Sequence, residues 1–290
     1  MAFSKSYLGD TVATNVVLQT IAPISGIIGG VTVKPELAGL IQANVAEFWY
    51  NLAPAVEVGT AGDDFGTSNV GTKKATIVLE RNIKFDEKVP QVAIDTIQAD
   101  IVADVVAKGA LRMANKAGEL FFTALLGLAQ AKTYTNGLDL VDAIAEGIAT
   151  FKKGSSAKID GSTDTTFSNA TNGIVPTTIV LGTDGEKLLR QDASFKDLFS
   201  GQGALPGTIG QLFGLNVVVS QHVSGVDFIL LNYEGVAFPY ALQALRTVEA
   251  EGFIGVRVQG ELVLPLAHGS EPSILVIDSY AMKFTEAAAA

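Results

Sequence analysis

Apolar residues recur at helical spacing from Gln91 to Ala131, and no proline interrupts the run. Val102, Val106, Ala110, Met113, Ala117, Leu120, Ala124 and Leu128 stand three or four positions apart, which puts them on one face of a helix. Pro90 suits the first turn of such a helix. Unbroken, forty residues would span on the order of 60 Å, more than a compact domain needs, so the pattern predicts a strut. Gly109, Gly118 and Gly127 leave open a division into two shorter helices near Gly109 or Gly118.

Before that run the texture is different. Residues 1–45 read as irregular, with a short helix led by Pro35 through Leu37, Leu40, Ile41 and Val45. Phe48-Trp49-Tyr50, the densest aromatic cluster in the chain, reads as a small core beneath this arm. Ala55 to Val58 is a short extended piece, Gly59 to Gly71 is rich in Gly, Asp, Ser and Thr, and Ala75 to Phe85 reads as one strand. That order predicts a long hairpin with a Gly-rich tip, too thin to make its own core.

After the run, Asn136-Gly137 marks a turn, and Leu138 to Phe151 repeats the helical pattern. Residues 154–173 hold eight Ser or Thr and read as a polar surface loop; the Asn169-Ala170-Thr171 sequon inside it is taken as chance. Thr177 to Leu181 is a short apolar strand, and Asp184 is placed to cap a helix through Leu188, Leu189, Phe195 and Leu198. Ser200 to Val226 carries no formal charge and passes through a Gly-rich stretch into a strand from Leu215 to Ser220. Phe228 to Leu231 is a further strand, which completes the outline of a small α/β domain. From Leu245 to Ser279 alternating stretches predict strands that return to pack on the long helix.

Composition narrows the function. Charged residues make up 17% of the 290, below the roughly 25% of an average soluble chain. Apolar residues make up 48%, and mean hydropathy is positive at +0.34. A folded monomer has little charge to cover its outside, and burial against copies of itself resolves this. The net charge of −10 and pI near 4.7 disfavour binding nucleic acid through its phosphates. Thr11 to Val33 is uncharged but broken by Asn15, Gln19, Pro23 and three glycines, which fits an arm that orders against a neighbour better than a spanning helix.

Candidate chemistry is sparse. There is no cysteine, hence no disulfide, thiolate metal site or thiol nucleophile, and the two histidines, His222 and His268, lack zinc-site spacing. No phosphate-binding glycine motif and no GxSxG elbow occurs, so Ser220 beside His222 is a weak hydrolase pair. Asp63 and Asp64 lack calcium-loop spacing and read first as solvated acids. Neither a cofactor nor a metal is expected. Asp63, Asp64 and Phe65 at the tip of the hairpin, with Lys73 and Lys74 just beyond it, are the candidate residues for contact with a neighbouring subunit.

In this order of parts the chain resembles the major capsid proteins of tailed bacteriophages, the Hong Kong 97-type fold. The resemblance is carried by Thr177-Thr-Ile-Val-Leu181, the helix with Leu188-Leu189, and Gly207-Thr-Ile-Gly-Gln-Leu-Phe-Gly-Leu-Asn-Val-Val-Val-Ser220. It implies an α+β fold in five parts: an N-terminal arm (1–47), an extended hairpin loop (48–90), a spine helix (91–134), an axial α/β domain (135–243) and returning peripheral strands (244–290). It implies a structural role without catalysis. Pentamers and hexamers of identical copies would tile an icosahedral shell around double-stranded DNA, without specific DNA binding and without a membrane. Separate scaffolding, portal and minor capsid proteins are the further partners it implies, with a built-in scaffolding domain absent or already removed. Assembly would take place in the bacterial cytoplasm. No crosslinking lysine can be matched. An encapsulin-type compartment holding a cargo enzyme shares the fold, and a tail-tube protein and an unrecognised hydrolase are the competing readings from different classes.

Overall fold

The structure is a computed structural model. It describes residues 45–51, 72–79, 81–96, 101–153, 175–192, 208–238, 241–249, 252, 254–264, 274–276 and 280–288. The arm before Val45, the loop tip at 52–71, the polar loop at 154–173 and the stretch at 193–207 lie outside the described residues.

The centre of the molecule is a six-stranded mixed sheet in the order β4 (Gln130–Tyr134), β13 (Ala281–Glu286), β8 (Phe228–Leu231), β5 (Thr178–Leu181), β7 (Leu215–Val219), β6 (Thr208–Leu212). β4 runs parallel to β13 and β5 parallel to β7, while the other neighbours are antiparallel. Every residue of β5 and β8 is buried, as the unbroken apolar runs TIVL and FILL require of strands covered on both faces.

Strand alternation sorts these side chains into two cores. Ile179, Leu181, Val217, Phe228, Leu230, Met282 and Phe284 join Leu140, Val141, Ile144 and Phe151 of helix α3 (Leu140–Lys153) and Leu189 of helix α4 (Thr183–Gln191). Val180, Val218, Ile229, Leu231 and Ala281 share the other core with helix α2 (Ile101–Leu128). The result is three layers, helix on sheet on helix.

The long helix does not break near Gly109 or Gly118. Helix α1 (Gln91–Thr96) follows directly on Pro90, residues 97–100 lie outside the described residues, and α2 then runs 28 residues straight through all three glycines. At 1.5 Å per residue α2 is about 42 Å long. Its buried face is Ala110, Met113, Ala114, Ala117, Phe121, Phe122 and Leu125, whereas Leu128, expected on that face, is exposed. Successive steps of four outrun 3.6 residues per turn, so the stripe drifts off the face that meets the sheet. The helix stops there because the chain finds a strand partner. Gln130–Tyr134, read from sequence as helix end and linker, pairs with β13. Lys283 of β13 donates from Nζ to the Leu126 carbonyl (2.6 Å), satisfying an acceptor that the helix end leaves open.

The second sheet is β10 (Ala241–Glu249), β11 (Gly255–Leu264) and β3 (Arg81–Pro90), all antiparallel. It packs on α2 as the returning strands were expected to. The contact turns on Phe85, whose ring lies in a slot floored by Gly109 of α2 and Gly260 of β11. A methyl group on Gly109 would stand 2.7 Å from ring atoms Cε1 and Cε2, and one on Gly260 2.7 Å from Cδ1. Two short strands, β9 (Val236–Ala237) and β12 (Leu275–Val276), pair separately.

Several expectations need correction. The strand read over Ala75–Phe85 is two: β2 (Thr72–Val78) pairs with β1 (Val45–Asn51), whereas β3 pairs with β11. The β propensity is continuous, but the chain changes sheets after Val78. Val45, read as the end of a short helix, lies with Phe48-Trp49-Tyr50 in β1, which pairs with β2 as the base of the hairpin, and the extended piece read at 55–58 lies outside the described residues. Helix α4 is N-capped by the extended Gly182, with Asp184 inside its first turn, and it ends at Gln191, short of Phe195. Last, 244–290 holds a strand beyond Ser279 that the pattern did not indicate, and that strand meets α2 through Ala281 and Lys283. This strand, β13, occupies an inner position of the six-stranded sheet.

Candidate assembly surface

The hairpin reaches the structure as its paired base. β1 and β2 run antiparallel in unbroken register from Val45 opposite Val78 to Asn51 opposite Thr72. Lys73 stands opposite Tyr50 and Lys74 opposite Trp49. Asp63, Asp64 and Phe65 lie outside the described residues. The structure therefore sets the two lysines on the strand that leads back from the tip.

One face of the second sheet carries its charges as cross-strand pairs. Arg257 binds Asp86 with two guanidinium bonds, the Nε one at 2.6 Å, and Gln259 Nε2 reaches the same carboxylate at 3.4 Å. The Arg257 hydrogen bond is the main reason the Asp86 carboxyl is held below the ordinary carboxylate range. Lys84 pairs with Glu261 at 3.2 Å. Exposed pairs like these contribute little to stability but help specify strand register. At the end of this sheet the Gln91 N–H donates to the Ile254 carbonyl (3.0 Å), and two apolar residues there face outward. Val92 is 75% and Ile254 83% exposed. This apolar pair goes unmarked in the sequence, because nothing local tells an apolar residue facing a core from one facing outward.

A polar knot closes the far edge of the main sheet. Tyr134 donates its hydroxyl to Asp227 Oδ2 (3.1 Å), the Glu286 N–H donates to the same oxygen (2.9 Å), and Glu286 Oε1 accepts from the Gly137 N–H (2.8 Å). Burial, then the Asp227 charge, push the phenol well above its usual range, so Tyr134 serves as a neutral donor.

Ser220 and His222 do not form a catalytic pair. The buried Ser220 Oγ accepts from the His222 backbone N–H at 3.3 Å, and the His222 ring Nε2 lies 3.5 Å from Gln221 Nε2. The serine faces the backbone of the turn, and among the described residues no base is drawn to its hydroxyl. Among the described residues no group of three acidic or histidine side chains is placed to hold a metal ion, and no helix is long and apolar enough to cross a membrane.

Residues 91–281, about two thirds of the chain, with the helices and most strands of the two sheets but without β3 and most of β13, match the family model described as phage capsid protein. The chain belongs to the phage capsid protein family. Similar solved structures agree on the fold of this capsid protein. A structure titled Mycobacterium phage Che8 is 16% identical, with 88% of this chain and 89% of that chain covered at a TM-score of 0.59. The capsid of an empty GTA particle is 12% identical, with 92% and 90% covered at 0.57. The mature capsid of bacteriophage PhiM1 is 11% identical, with 86% and 84% covered at 0.52. No curated protein sequence matches. The mixed helix and sheet fold that the resemblance implied is thus the one found, and the protein is a structural component of a virion shell.

Proposed function

We propose that this capsid protein tiles an icosahedral shell of the Hong Kong 97 type, as pentamers and hexamers of itself around double-stranded DNA. The observation that carries this reading is the family match over 91–281, which takes in the long helix and most strands of the two sheets. The parts take the roles that the resemblance gives them. Residues 1–47 are an arm that ties in a neighbour, 48–90 an extended loop laid across the adjacent subunit, 91–134 a spine, 135–243 an axial unit around the local symmetry axis, and 244–290 strands returning to the spine. Asp63, Asp64, Phe65, Lys73 and Lys74 are the loop residues that meet the neighbour.

The physical chemistry fits a container. Apolar surface lost to water stabilises at ~25 cal/mol per Å², so subunits that keep Val92, Ile254 and Phe213 outside when alone gain by covering them. A charge of −10 per copy repels enclosed DNA mildly and leaves it unbound. The role is mechanical, without catalysis or cofactor, and it draws on separate scaffolding, portal and minor capsid proteins in the host cytoplasm.

Negative-stain electron microscopy of the purified full chain tests the reading. Closed icosahedral particles, or pentameric and hexameric rings that close into them, are expected. Open tubes alone, or particles filled with a co-purifying enzyme instead of being empty or DNA-filled, would overturn it.

A further inference from the structure

Phe213 is the one described non-glycine residue with a positive φ, at 53°. It shares a two-residue turn with Gly214 (φ 77°), because Leu212 and Leu215 pair directly on either side. Positive φ at both central positions is the pattern of the type I′ hairpin turn, whose twist suits the strands it joins and whose favoured residues are Asn, Asp and Gly. Glycine fills the second position. The first holds a bulky aromatic, which incurs a steric penalty in the left-handed region for no gain to the turn.

The ring is not there for the core either, since Phe213 is 46% exposed. Its base, by contrast, is rigid. Leu212 and Leu215 are buried, and one pair below the tip Gln211 Nε2 donates to Asn216 Oδ1 at 3.2 Å across the hairpin. The strand β6 that carries it is the outermost of the six-stranded sheet. A strained, exposed aromatic held at the tip of a stiff edge hairpin is the form of a contact anchor: large apolar area, little freedom to lose on binding. The surroundings favour an identical copy as its partner. Residues 200–226 carry no formal charge in a chain of net charge −10, so this is where two like-charged copies approach with least repulsion.

We infer that the Phe213 turn is an intersubunit anchor, its ring inserted into the surface of a neighbouring copy in the shell. The inference rests on the shell reading above and goes beyond it in naming the contact. The test compares wild type, Phe213→Asn, Phe213→Gly and Phe213→Tyr as full chains, with two readouts: the melting temperature of dissociated subunits, and the fraction in rings or particles by sedimentation and electron microscopy. Relief of strain is expected to raise the subunit melting temperature of the Asn variant by roughly 2–5 °C. Its assembled fraction is expected to fall on the order of tenfold, as is that of the Gly variant, while the Tyr variant assembles like wild type. Asn and Gly variants that assemble like wild type would overturn the anchor and leave the shell reading intact. An Asn variant that melts lower would also overturn it, because the ring would then serve the subunit's own fold. Wild type that forms neither rings nor particles would overturn the shell reading and the anchor together.

Discussion

At the scale of single residues, the fit between the long helix and the second sheet depends on two absences of a side chain. Phe85 fills a slot that exists only because residues 109 and 260 are glycine. The ring cannot yield to a methyl group on one side without being driven into the other. Ordinarily alanine in place of a strand glycine stabilises, since glycine has more freedom to lose on folding. Here the sign reverses. Gly260→Ala should destabilise the subunit by about 1–3 kcal/mol in a urea melt, the usual range for overpacking. Adding Phe85→Leu should recover part of that loss, because the two sites couple through the same slot. An unchanged midpoint for Gly260→Ala would mean that the ring is not clamped. The sequence offered no sign of this pairing. Gly109 read as a point where the helix might break or admit a neighbour, and only the neighbour's identity shows which.

At the scale of elements, the least legible parts were those whose partners are far away in the chain. TIVL and FILL announce themselves as buried strands, because coverage on both faces leaves no polar positions. α3 announces itself through Val141, Ile144 and Phe151, which are buried as their spacing required. β4 and β13 do not. Gln130–Tyr134 looks like the frayed end of a helix, and Ala281–Glu286 looks like a tail, until each supplies the other's backbone partners across about 150 residues. β13 matters most, since it pairs on both edges, places Met282 and Phe284 in one core, and caps α2 through Lys283. A chain ending at Tyr280 should therefore lose its cooperative melt and its solubility, since β4 and β8 are left with open edges. A chain ending at Ala287 should melt within a few degrees of the full chain. Circular dichroism melts of the two truncations check this, and a cooperative melt in the shorter one would show that β13 is dispensable.

At the scale of the whole molecule, the hairpin and the compact body are separate undertakings. β1 and β2 pair only with each other among the described strands, and the two large core clusters draw on β3 onward, while Ile77 at the base of β2 is itself buried. If the loop acts between subunits, as proposed above, removing residues 60–71 should leave the melting temperature nearly unchanged, yet greatly reduce closed particles in electron micrographs. Wild-type numbers of normal shells from that deletion would remove the loop from the assembly mechanism. The candidate site was legible only in part for the same reason. Lys73 and Lys74 fall on β2, which begins earlier than the Ala75 the pattern indicated, and an interface is a property of two surfaces, of which one chain carries no record of the second.

What the chain determined by itself were the elements with a local cause: helices from a 3.6-residue period, buried strands from unbroken apolar runs, a turn from Asn136-Gly137, and, from a composition without cysteine, the absence of thiol chemistry. Only the tertiary structure decided which strands meet, where the long helix stops, and which apolar residues stay outside. Pairing, register and burial are contacts between distant segments, and their energy depends on a partner that no local window of sequence contains.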